Sequence, residues 1–135
     1  MRFLFAASLL PVLFLSALLG CTPAPSAGAV PSQYASADNP VILSERLDLK
    51  GPEGAGILKI RDSGRRTTAW FTMAAAVSAL EHYFERQLAA TGWLRETYRP
   101  AGNTAWREDF VREGERVTVY LELEDWSGRY RLEIR

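Results

Sequence analysis

The chain has 135 residues, with 16 basic and 16 acidic side chains, one histidine and one cysteine. So even a balance excludes a general nucleic-acid binder, which needs a basic surface to neutralise phosphates. A single cysteine excludes a disulfide framework, and a single histidine without thiols leaves no zinc-ligand spacing.

The first element is "MRFLFAASLLPVLFLSALLG", with a basic start at Arg2 and an apolar run from Phe3 to Leu19 broken by Ser8, Pro11 and Ser16. That pattern is a secretory signal peptide over residues 1–20. A spanning helix would need about 20 apolar residues, and Pro11 lacks the N–H that a helix interior uses. The run then closes on Leu18-Leu19-Gly20-Cys21, which resembles the lipobox of bacterial lipoproteins. The resemblance implies a diacylglycerol on the Cys21 sulfur, cleavage before Cys21 and acylation of the new amine, as by palmitate. Its partner is then the lipid bilayer, gripped firmly because two or three acyl chains hold where one does not. Lipoproteins retained in the inner membrane of many Gram-negative cells carry aspartate at the next position. Thr22 there implies the outer membrane, facing the periplasm.

Next comes "TPAPSAGAVPSQYASADNP" (22–40), rich in Pro, Ala and Ser and nearly uncharged. It offers too little apolar surface to offset the entropy of ordering. Residues 21–56 are therefore expected to be the lipidated cysteine and a mostly flexible tether. Within it "VILSERLDLK" (41–50) reads as a short strand or an edge segment, and "GPEGAG" (51–56) as a loop.

The folded part is expected from Ile57. "ILKIRD" and "RTTAWFTM" flank Ser63-Gly64, a two-residue hairpin signal. The period then changes. Met73, Val77, Leu80, Phe84, Leu88 and Thr91 recur at spacings of three and four, which predicts one amphipathic helix with Thr72 as N-cap and Gly92 after its end.

Four strand-like runs follow: "WLRETYR", "WREDFVR", "RVTVYLELE" and "RYRLEIR". A loop at 125–128 sets Glu124 against Arg129, Glu122 against Arg131, and Leu123, Leu121 and Val119 against Tyr130, Leu132 and Ile134. A turn at Glu113-Gly114 sets Phe110 on Val117 and Trp106 on Leu121. A loop at 100–103 sets Trp93 on Phe110 and Arg95 on Glu108, two charges on an otherwise apolar face. The expected fold is α+β over 57–135, one helix on an antiparallel sheet, in the order β-β-α-β-β-β-β. A helix ending in "TGW" before antiparallel strands resembles, over about residues 66–135, the small domains of BamC-type outer-membrane assembly lipoproteins. That resemblance implies partner binding and carries over no site residues.

Chemistry is sparse. His82 lies inside the helix near its polar face, and no serine sits in a nucleophile elbow. Glu122, Glu124 and Asp125 cluster, yet two of them face arginines, which makes an ion-pair ladder rather than a catalytic pair. No catalytic, cofactor or metal residue is expected, and the chain reads as a non-enzyme. Trp126, alone among the tryptophans, falls in a turn and is the candidate partner contact, with a lid folded back over the sheet as the alternative; Trp70, Trp93 and Trp106 are expected in the core. The expectation is an envelope lipoprotein that binds another envelope protein, or alternatively peptidoglycan or another glycan.

Overall fold

The computed structural model describes residues 30–135. The signal peptide, Cys21 and Thr22 lie outside the described residues. The strands are β1 (Gln33–Tyr34), β2 (Ile42–Ser44), β3 (Leu49–Lys50), β4 (Gly56–Asp62) and β5 (Thr67–Thr72). Helix α1 (Val77–Ala90) follows, then β6 (Leu94–Arg95), β7 (Ala105–Arg112), β8 (Glu115–Asp125) and β9 (Arg129–Ile134). Seven strands form one antiparallel sheet in the order β1-β4-β5-β9-β8-β7-β6, and β2 pairs with β3 in a separate hairpin. The fold is α+β, one helix on an antiparallel sheet.

The order β-β-α-β-β-β-β is incomplete, because three short strands precede the expected first one. The boundary at Ile57 is also too late. Ala35, Val41, Leu43, Leu47, Leu49 and Ala55 are buried in the same core as the sheet and helix. The reason is long-range. The Gln87 carboxamide takes the Lys50 N–H at 2.8 Å and returns its own N–H to the Lys50 carbonyl at 3.0 Å, while the Tyr83 hydroxyl donates to the Gly51 carbonyl at 2.9 Å. The helix flank thus satisfies β3 as a neighbouring strand would, and no local pattern in 41–50 announces it.

Helix α1 buries Val77, Leu80, Phe84 and Leu88, the expected stripe, and also Glu81. Gly92 follows the C-cap Thr91 with φ +87°, a conformation that favours glycine. Thr72 is not the N-cap. It ends β5, and the cap is Ala76 without a side-chain bond. The intervening residues are held elsewhere, since the Met73 N–H donates to the Gly128 carbonyl and the Tyr130 hydroxyl to the Ala75 carbonyl. Ser63-Gly64 also belongs to a longer turn, Ser63 to Arg66, closed by the Ser63 N–H on the Arg66 carbonyl.

The later strands pair largely as expected. Phe110 meets Val117, Trp106 meets Leu121, and Leu123, Leu121 and Val119 meet Tyr130, Leu132 and Ile134. A bulge before the β8–β9 turn puts Asp125, not Glu124, opposite Arg129. Strand β6 is displaced by two residues from expectation, with Arg95 opposite Phe110 instead of Glu108. Arg95 lies at the sheet margin, bonded to Glu85 of the helix at 2.7 Å and stacked over Tyr98. Glu108 stays buried, where its carboxylate accepts the Arg99 N–H at 2.9 Å. The core itself is aromatic, with Phe71 edge-on to Phe84 at 6.3 Å and stacked on Tyr130 at 5.6 Å.

Candidate functional site

Side chains alternate across each strand, so the pairing that aims apolar residues at α1 aims a second set at the other face. Two rows cross that face. One runs Lys59, Trp70, Arg131, Glu122, and the next runs Arg61, Thr68, Glu133, Tyr120, Arg107. No strand or helix among the described residues covers them; α1 and the β2–β3 hairpin contact the opposite side.

Charged groups on this face are organised by arginine. Arg131 reaches Glu122 at 2.5 Å and Glu124 at 3.7 Å, and Arg129 reaches Glu124 at 2.8 Å. The expected ion-pair ladder is therefore present, with Glu124 shared because of the bulge. Glu133 accepts Arg135 at 2.8 Å and Arg66 at 3.4 Å. Burial works against the Glu133 carboxylate, but Arg135, Arg131 and Arg66 outweigh it and hold its pKa below the ordinary glutamate value. Thr118 donates to Asp109 at 2.6 Å. Arg107 is exposed, and its guanidinium is engaged by no partner among the described residues.

Two shallow hollows adjoin along these rows. The first, about 490 Å³, is lined by Arg107, Thr118, Tyr120, Arg131, Glu133 and Arg135. The second, about 500 Å³, is lined on its far side by Arg61, Asp62, Arg66, Thr68 and Trp70 and shares Arg131 and Glu133 with the first. Trp70 departs from expectation here. It belongs to this face rather than to the core cluster, and is only 5% exposed, with the Lys59 ammonium 5.9 Å from its ring centre. Trp93 and Trp106 are core residues as expected.

Trp126 stands 88% exposed in the β8–β9 turn, so it does not fold back over the sheet. The turn is rigidly seated. Asp125 accepts the Ser127 N–H at 3.0 Å and the Ser127 hydroxyl, and the hydroxyl above all holds its pKa below the ordinary aspartate value. Gly128 has φ +86°, and a Cβ there would stand 2.6 Å from the Met73 carbonyl oxygen. Both facts demand glycine.

Sequence reasoning missed one cluster of buried acids. Glu81 and Glu108 are both buried on the helix side, and Glu108 accepts the Arg99 N–H from the loop between β6 and β7. Burial, aided by Glu85, raises the Glu81 pKa. The charges on the expected apolar face were the available signal. His82 is exposed, its Nδ1 2.6 Å from the Ser78 carbonyl oxygen one turn back. No group of three His, Cys, Asp or Glu among the described residues converges to hold a metal ion. No described helix is long and apolar enough to cross a membrane. Comparison with protein-family models, with curated proteins and with solved structures gave no match.

Proposed function

We propose that this chain is a lipoprotein of the bacterial envelope, acylated at Cys21, whose domain is a non-catalytic module that docks another envelope protein on its bare sheet face. Thr22 favours the outer membrane, with the domain in the periplasm. The single observation that carries the docking role is the asymmetry of the sheet, packed on one side and uncovered on the other. Its first hollow sets Arg107, Arg131 and Arg135 against Glu133. Arg131 and Arg135 are already paired with Glu122, Glu124 and Glu133, so the forked guanidinium of Arg107 is the group in this hollow left to meet a carboxylate on a folded partner.

Two experiments test the two halves of this reading. Replacing Cys21 with serine should leave unprocessed precursor and abolish labelling by a radioactive fatty acid; equal labelling of both forms sinks the anchor. A photo-crosslinking amino acid at Tyr120 should give one discrete protein adduct in cells, weakened by Arg107→Glu, while the same probe at exposed Arg86 on the helix gives none. Sedimentation of the purified protein with peptidoglycan sacculi, unchanged by Arg107→Glu, would turn the reading to glycan binding instead.

A further inference from the structure

Paired residues define the last row at one end of the sheet: Tyr34, Gly56, Thr72, Arg129 and Asp125. Beyond it project the 126–128 turn and Trp126. The N-terminal chain arrives at this same row. A Cβ on Gly56 would fall 2.6 Å from the Pro31 ring and 2.7 Å from the Thr72 hydroxyl, so Pro31 lies over the end of β4 and β5. Val30 is next and is 86% exposed, and Tyr34 on the row is 62% exposed. Three large apolar or aromatic side chains, Val30, Tyr34 and Trp126, are thus exposed at or beside the end where the described residues begin.

From this geometry we infer that the Trp126 end of the domain rests on the bilayer that holds Cys21, with the Trp126 indole at the interface between head groups and acyl chains. The inference rests on the lipid anchor proposed above. Eight residues, 22–29, lie between Cys21 and Val30, nine Cα–Cα steps and a reach of at most about 30 Å when extended. Strands of six residues, such as β5, make the sheet about 20 Å long. For the opposite end to face the membrane, the connection would have to run back along that length and spend most of its reach. With the Trp126 end down, the same connection is slack. From Tyr34 to Asp125 is four strand spacings, about 19 Å, broad enough for a two-point contact by Tyr34 and Trp126. An aromatic with an apolar body and a polar N–H or O–H suits the interface. Asp125 and Glu124 at this end are set against Arg129 of the same row, so no excess of charge there selects an anionic head group, and the surface recognised is zwitterionic lipid. This orientation leaves the arginine-lined hollows along the wall of the domain, open to a partner.

The mature lipoprotein in phosphatidylcholine vesicles, with and without bromine on the acyl chains, tests this directly. Trp70, Trp93 and Trp106 are 5%, 1% and 2% exposed, so lipid-borne bromine reaches Trp126 alone. Brominated vesicles should remove most of the Trp126 share of the emission, and Trp126→Ala, with an unchanged melting curve, should abolish the quenched part. Equal emission in both vesicles, with Cys21 acylated by mass spectrometry, overturns the inference and leaves the anchor standing. Absence of the acyl groups instead overturns the anchor. The orientation is then read by coupling the Cys21–Arg135 chain through its one thiol to a maleimide lipid, where the same bromine test decides it. Protection of Trp126 from iodide by sacculi but not by vesicles also overturns it, in favour of glycan.

Discussion

The two faces of the sheet are made from alternate residues of the same strands and behave as different materials. Towards the helix, Phe71, Phe84, Trp106, Phe110 and Tyr130 interlock with Leu121 and Leu132, all at 2% exposure or less. Away from it, Arg131, Glu133, Tyr120 and Trp70 stand side by side with only each other for cover. Packing on the first face is what fixes the spacing of the second. An arginine on an open sheet keeps its place because the residue before or after it is locked in a core. The lesson is a division of labour: core substitutions should cost folding, and bare-face substitutions should cost binding alone.

The largest effect expected is on the covered face. Phe84 is fully buried and edge-on to both Phe71 and Tyr83. Phe84→Ala should destabilise by about 3–5 kcal/mol, enough to unfold much of a domain this small. A chemical-denaturation midpoint unchanged from wild type would show that α1 is not the keystone of this face. Next is Gly128→Ala at the Trp126 end. A left-handed conformation costs a side chain about 1–2 kcal/mol, and the approach to the Met73 carbonyl adds to it. Lowered stability together with a changed Trp126 emission is the expected pair; loss of neither would mean the turn is free to readjust.

Three acids, Glu81, Asp62 and Glu133, sharpen the comparison through pH. The Glu81 pKa is raised above 4.5, so between 4.5 and that raised value the folded state binds more protons than the unfolded chain. Glu81 therefore favours folding most below this window and withdraws support as pH climbs through it. Asp62 works in reverse. Burial opposes its carboxylate, but the N–H groups of Gly64 and Glu45 and the Thr67 hydroxyl bring its pKa below 3.8. Its contribution is present above 3.8 and lost as pH falls; Glu133 follows the same sense from 4.5. Glu81→Gln should flatten the decline above 4.5 and leave the acid limb untouched. Melting curves from pH 3 to 8 would read both limbs in one experiment, and an unflattened decline would acquit Glu81.

Legibility in the sequence followed the range of the interactions. The β8–β9 hairpin was readable because its apolar rows and its Glu122–Arg131 pair repeat with a period of two across a short turn. The stripe of α1 was readable for the corresponding reason at a period near 3.6. Strands β1, β2 and β3 were not: β1 is held by the edge of β4, β2 by its hairpin partner β3, and β3 by a helix glutamine bonding to backbone 37 residues away. Trp70 was misplaced for a related cause. Its strand pairs with β9, about 60 residues later, and no hairpin announces which of its two faces meets the helix. Only the second hollow straddles that β5–β9 seam, so Arg61, Arg66 and Trp70 could not be joined by local pattern to Arg129, Arg131 and Arg135, which the alternation along β8 and β9 already sets on one face. Trp126 needed no such knowledge; a turn flanked by two well-registered strands already displays it.

The smallest expected effect on stability is also the most discriminating. Arg107 projects from the bare face next to Tyr120, and its guanidinium is engaged by no partner among the described residues. Arg107→Glu should shift stability by no more than about 0.5 kcal/mol, as surface changes away from caps and buried pairs do. On the covered face, three positions along β7, a charge at Phe110 would be ruinous. If the bare face docks an acidic partner, the same Arg107→Glu change reverses a contact charge at the mouth of the first hollow. It should weaken capture at Tyr120 far more than it perturbs the fold, with a penalty that shrinks as salt screens the repulsion. Arg86→Glu, on the solvent side of α1, supplies an equal charge change where no contact is expected. Equal binding by both variants would mean that the exposed arginines are only a soluble coat and that the partner sits elsewhere. A loss confined to Arg107→Glu, at unchanged melting temperature, would separate the two faces by function as cleanly as the core separates them by packing.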